Sequence, residues 1–460
     1  MNLIFYIDFY WEPLVGHPQP NYSSEYCNNV LENNIGSGNT LIKFFNHSVN
    51  LSNEIVSELI LCNADNSNIN NVTIAGSDIL KNNELFIFLT ENSNFTNINS
   101  SNNKHGVYIE KSLNNVLTNI TTNLNNNYGI YLKNSLNNII SNSKTTINSN
   151  GIFLQTSSNN TIINSTANSN KEYGISIYDS SNNILTNNTA NSNIYGIYLY
   201  SSPNNTMKNN TMKNNTYNFN INGFEGFIPN FYQDIDTSNS VDNKSIFYLT
   251  NEKNAWNGCK NTEISELDNP GFLALISCDN ITIKNLNLHN NSHGILLVNT
   301  TNSKILNNVI NSNYYAIHLF SSSNNTLNSN IACENTFLDF YMSYPYSSSY
   351  SNTGENNTCK LAAYWKDSET EGCTHSCSGV LCICEIKLGF GGTISRPCNC
   401  CTQFDFDSNG ITDIFDAVAA LEYLSVERNE IFNMNCSDVN NNGIDLIDIF
   451  YLIEKLQGLH

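Results

Sequence analysis

The sequence predicts a mainly β fold, a parallel β-helix with a small α-helical module at its C-terminal end, and three observations lead there. Short segments opening Gly-Ile/Val-x-Leu/Ile, or a close match, start at Gly106, Gly129, Gly151, Gly174 and Gly196 and again at Gly294 and Ala316, 22 or 23 residues apart wherever they are consecutive. An Asn-rich turn such as Asn137-Asn138, Asn159-Asn160, Asn182-Asn183 or Asn204-Asn205 follows about eight residues after the opening. No helix-length 3.6 periodicity interrupts these pieces. A unit this short cannot bury its own apolar face, so successive units must stack.

Each element of the unit has a local reason. Gly129-Ile130-Tyr131-Leu132, then Asn138-Ile139-Ile140, then a piece around Thr145-Thr146-Ile147 are strand-length, alternating and rich in β-branched residues, with Asn, Ser and Gly supplying the turns. Three short strands per turn give a coil whose turns pair at roughly 4.8 Å. Ile130, Ile152, Ile175 and Ile197 then form one inward column and Leu132, Leu154, Ile177 and Leu199 a second. Asn suits the bends because it tolerates the left-handed backbone region, and its amide can pair from turn to turn.

Along the chain, residues 1–70, with Cys27 and Cys62, read as a cap over the first turn, since an open sheet edge invites unwanted pairing. The coil is expected over 71–358, with an irregular insertion near 217–290 that rejoins at Asn280-Ile281-Thr282-Ile283. A Cys-rich link at 359–401 and a last module at 402–460 complete the order.

Charged residues make up only 13% of the 460, and the net charge is -20 from 20 basic and 40 acidic residues, which argues against nucleic acid or an anionic membrane as partner. No stretch reads as a transmembrane span. Fourteen cysteines and sequons such as Asn71-Val72-Thr73, Asn94-Phe95-Thr96 and Asn164-Ser165-Thr166 suggest an oxidising exterior and a glycoprotein. Residues Met1 to Asp8 are apolar but lack a basic n-region, so no secretion signal is read there; an extracellular or cell-surface location is inferred from the cysteines.

The Gly-Ile-x-Leu openings and Asn-Asn turns, joined to Asp234-Ile235-Asp236-Thr237-Ser238-Asn239 and Gly271-Phe272-Leu273-Ala274-Leu275, resemble archaeal surface proteins with NosD-type right-handed β-helix repeats over roughly 60–360. The resemblance implies a right-handed coil and an association with carbohydrate binding or processing. Its family name also refers to periplasmic copper handling, which would need His, Met or Cys converging on one point. His105, His289, His293 and His318 read instead as scattered surface imidazoles.

An enzyme on this fold is the competing reading. Lyase chemistry wants a basic group beside a carbonyl, yet the two arginines, Arg396 and Arg428, lie beyond the coils. Glycosidase chemistry wants two carboxylates facing one sugar. Between 101 and 210 the acidic residues are Glu110, Glu172 and Asp179, on no matching positions of adjacent turns, and Asp234, Asp236 and Asp242 read as a solvated loop. Aligned outward positions carry a different signal. Two residues after each opening come Tyr108, Tyr131, Phe153, Ser176, Tyr198, Leu296 and His318, and just before it His105, Tyr128, Asn150, Tyr173, Tyr195, His293 and Tyr315. Tyr108, Tyr131, Phe153 and Tyr198 are candidate carbohydrate-binding residues, since rings with polar tips suit partly wet stacking on sugars. The alternative is that the rings only stabilise exposed strands. A purely structural spacer is a third possibility.

At the C-terminus, Asp405, Asp407, Asn409, Ile411 through its carbonyl, Asp413 and Asp416 follow the spacing of an EF-hand-type calcium loop, with Gly410 at the turn. Ala417 to Leu424 supplies the following helix, with Val418, Leu421 and Leu424 on one side. The pattern recurs 33 residues on at Asp438, Asn440, Asn442 and Asp448, one position shorter after its Gly443. The paired units resemble a dockerin module, which implies calcium as cofactor and a cohesin-like surface protein as partner. Residues 401–460 hold eleven acidic and two basic residues, so calcium should be needed for their folding. Between coil and module, Cys359, Cys373, Cys377, Cys382, Cys384, Cys398, Cys400 and Cys401 permit four disulfides; the Cys373-x-x-x-Cys377 spacing also leaves zinc open.

Overall fold

The computed structural model describes residues 27–77, 79–223, 227–251, 259–343, 351–368, 370–377, 382–387 and 393–398. Both calcium loops, from Asp405 to Asp448, and Cys400 and Cys401 lie outside the described residues.

One turn of the coil shows how the sequence dictates it. A six-residue strand, Tyr128–Lys133, is followed by two three-residue strands, Ile139–Ser141 and Lys144–Thr146. Four corners separate the strands, at Asn134, Asn137, Asn142 and Ile147, each with φ between 50° and 56°. That is the left-handed region, which Asn enters more readily than other side chains. After each corner comes a fully enclosed polar residue, Ser135, Asn138, Ser143 or Asn148. The two residues of an Asn-Asn pair therefore do different things: the first makes the bend and the second is buried behind it.

The buried partners form ladders parallel to the coil axis. The backbone N–H of Asn115 donates to Asn138 Oδ1 at 2.8 Å, that of Asn138 to Asn160 Oδ1 at 2.7 Å, that of Asn160 to Asn183 Oδ1 at 2.8 Å and that of Asn183 to Asn205 Oδ1 at 2.8 Å. Gln233 ends this ladder by accepting from the Asn205 N–H at 2.9 Å. A second runs through Asn125, Asn148, Asn170, Asn193 and Asn215. Corners leave backbone donors without a strand partner, and the ladders satisfy them inside. Gly129 is required for a different reason: a Cβ there would lie 2.6 Å from the Gly151 carbonyl oxygen, and the same clash repeats along the glycine column.

Ile130, Ile152, Ile175 and Ile197 occupy one enclosed column and Leu132, Leu154, Ile177 and Leu199 the next, in the register expected. The long strands form a nine-stranded parallel sheet from Ile42–Phe45 to Tyr217–Asn222. Coil strands thus begin before residue 71, within the span expected as the cap.

The second run is not a simple continuation of the first. After Tyr217–Asn222 the chain adds two last short strands, Asp234–Ile235 and Ser240–Val241, and turns back antiparallel into Lys244–Thr250. That strand opens a second stack, continued by Phe272–Ile276, His293–Val298, Tyr315–Phe320, Leu338–Ser343 and Ala362–Ala363. Its inward residues, among them Leu273, Leu275, Ile295, Leu297, Ile317 and Leu319, make a core of their own. Its outward residues Ile246, Tyr248, Phe272, Ala274, Ile276, Leu296, Val298 and Phe320 are buried with the core of the first stack. Phe219 meets Phe272 edge-on at 4.9 Å, the Asn218 N–H donates to the Asn290 carbonyl at 2.7 Å, and Tyr248 Oη donates to the Phe231 carbonyl at 2.5 Å. The second stack thereby covers the apolar end of the first, and the expected insertion at 217–290 is this joint.

Disulfides join Cys27 to Cys62, Cys259 to Cys278, Cys333 to Cys377 and Cys359 to Cys373. The link is thus not self-contained: Cys377 pairs back to the coil, and neither Cys373 nor Cys377 is free for zinc. Strands Thr358–Cys359 and His375–Ser376 pair in parallel, so coil structure continues past residue 358. A hairpin of Cys382–Lys387 with Thr393–Cys398 follows. Among the described residues no helix is long and apolar enough to cross a membrane.

Candidate functional site

The outward side of the first long-strand sheet carries two rows of side chains. One runs through Phe86, Tyr108, Tyr131, Phe153, Ser176, Tyr198 and Asn220, each in register with the next. The other runs through His105, Tyr128, Asn150, Tyr173, Tyr195 and Tyr217. Sheet pairing at one rung per turn brings equal positions to stacking distance, so a ring repeated in sequence becomes a ring stacked in space. Phe86 and Tyr108 lie 5.1 Å apart, Tyr108 and Tyr131 5.0 Å at 7°, and Tyr128 and Tyr131 4.4 Å. Farther along, Tyr173 lies 5.1 Å from Tyr195 and 5.3 Å from Tyr198, and Tyr195 lies 5.2 Å from Tyr217. The track then meets the second stack, where Tyr217 touches Tyr314 edge-on at 5.9 Å.

The four candidate sugar-stacking residues are all on this strip. Tyr108, Phe153 and Tyr198 are half-buried, whereas Tyr131 is only 8% exposed. Tyr108 Oη donates to Glu110 Oε2 at 2.7 Å, and Tyr131 Oη donates to Gln155 Oε1. Burial and the Glu110 charge push the Tyr108 hydroxyl far above the usual phenol range, burial and neighbouring tyrosines push Tyr195 up to about 12, and both stay neutral donors.

Leu296 and His318, aligned with Tyr131 in sequence, are absent from the strip because that side of the second stack faces the first. Three of the four imidazoles are not on the surface either: His105, His293 and His318 are 6%, 2% and 5% exposed and lie within ring stacks, while His289 is half-buried. Among the described residues no three His, Cys, Asp or Glu groups converge as a metal would require. Asp234 and Asp236 are exposed, while Asp242 accepts from the Asn214 N–H at 3.1 Å and from Asn218 Nδ2 at 2.7 Å, which ties it into the joint.

One group of titratable residues escaped the repeat alignment. Glu58 and Glu84 precede Leu59 and Leu85, which are paired on adjacent turns, and thus sit where later turns carry glycine. Burial, opposed by Lys104, raises the Glu58 carboxyl to about 7; burial, with Glu58 and Glu110 adding to it and Lys104 opposing, raises Glu84 to about 8. His105 Nε2 lies 3.9 Å from Glu84 Oε2, and burial with Lys104 lowers its imidazole to about 3. At neutral pH the group can hold a protonated carboxyl beside a neutral imidazole at one end of the ring strip. The signal was present in the parallel segments Glu58-Leu59-Ile60-Leu61 and Glu84-Leu85-Phe86-Ile87, but their 26-residue separation falls outside the 22-to-23-residue period.

Family models match the coil. The family model described as right handed beta helix region matches residues 58–216. The chain folds as a right-handed β-helix. The model described as periplasmic copper-binding protein (NosD) matches residues 232–371 of the β-helix, so the two matches meet at the joint between the stacks. Similar solved structures include the A-module of the Azotobacter vinelandii mannuronan C-5 epimerase AlgE4, at 14% identity over 72% of this chain and 91% of that one, with a TM-score of 0.33. The periplasmic alginate epimerase AlgG matches at 13% identity over 72% of this chain and 79% of that one, with a TM-score of 0.31. The catalytic domain of a GH87 alpha-1,3-glucanase in complex with nigerose matches at 11% identity over 73% and 62%, with a TM-score of 0.30. No curated protein matches the chain.

Proposed function

We propose that the β-helix binds glycan along the ring strip of its first stack, outside the cell or at its surface. The observation that carries this reading is the pair of in-register rows, whose rings keep partly exposed surface over successive turns. Such rings supply apolar stacking area together with hydroxyl donors, the combination that sugar faces require. The four disulfides among the described residues suit an oxidising compartment. The test is retention of the purified protein in gels containing insoluble or soluble polysaccharides. Replacing Tyr131, Phe153 and Tyr198 together by Ser should abolish retention while the fold is kept; undiminished retention would sink the platform.

The C-terminal residues 402–460 are proposed to be a dockerin-like module in which Asp405, Asp407, Asn409, Ile411, Asp413 and Asp416 hold calcium, and Asp438, Asn440, Asn442 and Asp448 a second ion, for attachment to a cohesin-like surface protein. Calorimetry with calcium and with chelator checks this, since a separate transition should disappear on chelation. One observation favours a second reading, a carbohydrate-active enzyme: Glu84 and His105, both with shifted titration, lie 3.9 Å apart beside the strip. If polysaccharide incubated with the protein gains new reducing ends or unsaturated ends, and Glu84→Gln stops it, that reading replaces the first.

A further inference from the structure

Both ring rows are interrupted, on adjacent turns. Asn150 stands between Tyr128 and Tyr173 in one row, and Ser176 between Phe153 and Tyr198 in the other. The rows touch diagonally, from one turn to the next: Tyr128 lies 5.2 Å from Phe153, and Tyr173 lies 5.3 Å from Tyr198. Asn150 and Ser176 hold the corresponding diagonal of the turn between. Where that step would carry two rings, it carries an amide and a hydroxyl.

Neither polar group is satisfied. Asn150 Oδ1 and Ser176 Oγ are buried without a hydrogen-bond partner, and the residues are 7% and 1% exposed. Two ring hydroxyls of this sheet are paired, Tyr108 with Glu110 and Tyr131 with Gln155, and Asn220 Oδ1, next to Tyr198 at the end of the same row, is a further buried oxygen without a partner. Leaving two buried polar atoms unpaired is costly, so a ligand that supplies hydroxyls there recovers what the free protein lacks. The bounding ring is also the one turned out of line, since Phe153 makes 70° with Tyr131 while Tyr108 and Tyr131 are nearly parallel. Phe153 and Tyr198 are two turns apart, roughly 9.6 Å by sheet spacing, and the step between them is closed over Asn150 and Ser176 in the free protein.

Resting on the reading of the strip as a glycan platform, we propose that Asn150 and Ser176 floor a slot that takes one uncharged sugar ring, inserted as the missing step between Phe153 and Tyr198. Asn150 Oδ1 accepts from one hydroxyl of that sugar, and Ser176 Oγ exchanges a bond with another. A uronate fits worse. Its carboxylate would face the Asn150 Oδ1 acceptor and come near Glu172, whose charge, after burial, raises the adjoining Tyr173 hydroxyl. Entry requires the half-buried Phe153 and Tyr173 to give way.

Titration calorimetry on the full chain tests the slot, with cellohexaose, laminarihexaose and maltohexaose as neutral probes and hexagalacturonate as the charged one. The unaltered protein should bind at least one neutral hexamer at least tenfold tighter than the uronate. Filling the slot with Asn150→Tyr and Ser176→Tyr should weaken that binding at least tenfold, as should Tyr198→Ser. If the filled variant binds as well or better while Tyr198→Ser loses binding, the platform stands and the slot is wrong. If no hexamer binds, both fall. Preference for the uronate overturns the assigned chemistry. Should the filled variant fail to fold, Asn150→Ala with Ser176→Ala serves: it should melt at a higher temperature and still bind tenfold more weakly, and unchanged affinity would overturn the slot.

Discussion

At the scale of single residues, the Asn-Asn pair shows that two identical side chains one position apart have unrelated work. Asn137 has φ 56° and makes a corner, whereas Asn138 is fully enclosed and hydrogen-bonded to the turn before it. It accepts the Asn115 N–H at 2.8 Å and donates to the carbonyls of Ser112 at 3.0 Å and Leu136 at 3.1 Å. Asn137→Gly should change stability by at most about 0.5 kcal/mol, since glycine takes the left-handed region freely. Asn138→Ala should cost roughly 3 kcal/mol, because it strands buried backbone groups on two turns. Thermal unfolding of the two variants checks this; equal melting temperatures would refute the division. Sequence reasoning saw that Asn suits these bends and can pair between turns. It did not see that the two properties belong to different members of the pair, because only the coil's closure decides which one points inward.

At the scale of the element, the long-strand sheet of the first stack combines ring rows with the Glu58, Glu84 and His105 group, and the group sets a pH dependence. Burial holds Glu84 up to about 8 and Glu58 up to about 7, above the 4.5 of an exposed carboxyl. The folded state therefore binds more protons than the unfolded one between about 4.5 and 8, and stability falls as pH rises through that window. Lys104 opposes the shift, and Glu110 adds to that of Glu84. The melting temperature should drop between pH 5 and 9, and Glu84→Gln should flatten most of that drop and leave the variant more stable at pH 9. A melting temperature that falls equally in both proteins would count against the buried carboxyl. The ring columns were legible because they keep the 22-to-23-residue period. The carboxyl pair was not, because the early turns are longer and carry Glu where later turns carry Gly.

At the scale of the whole molecule, the second stack closes the first. Its outward residues Phe272, Leu296 and Phe320 share the first core, and His293 and His318 stack at 5.2 Å near the joint. Burial lowers His293 to about 3 and takes His318 well below its usual value, with His293 lowering it further. A depressed imidazole contributes stability present above pH about 6.5 and lost as pH falls toward the folded value, so acid should loosen this region. Hydrogen exchange at Phe272–Ile276 should speed up between pH 6 and 4 after correction for intrinsic rates, and His293→Phe with His318→Phe should suppress the change; equal acceleration in the variant would rule the pair out. By itself the sequence determined the three-strand unit, the inward Ile and Leu columns and the alignment of the rings, because each depends on repetition along one chain. Only the tertiary structure decided what each outward face meets. Tyr131 and Leu296 hold the same place in their units, yet one lies on the ring strip and the other packs into the core of the first stack, because stacking sets direction within a coil while the packing of one stack on another depends on contacts that no repeat encodes.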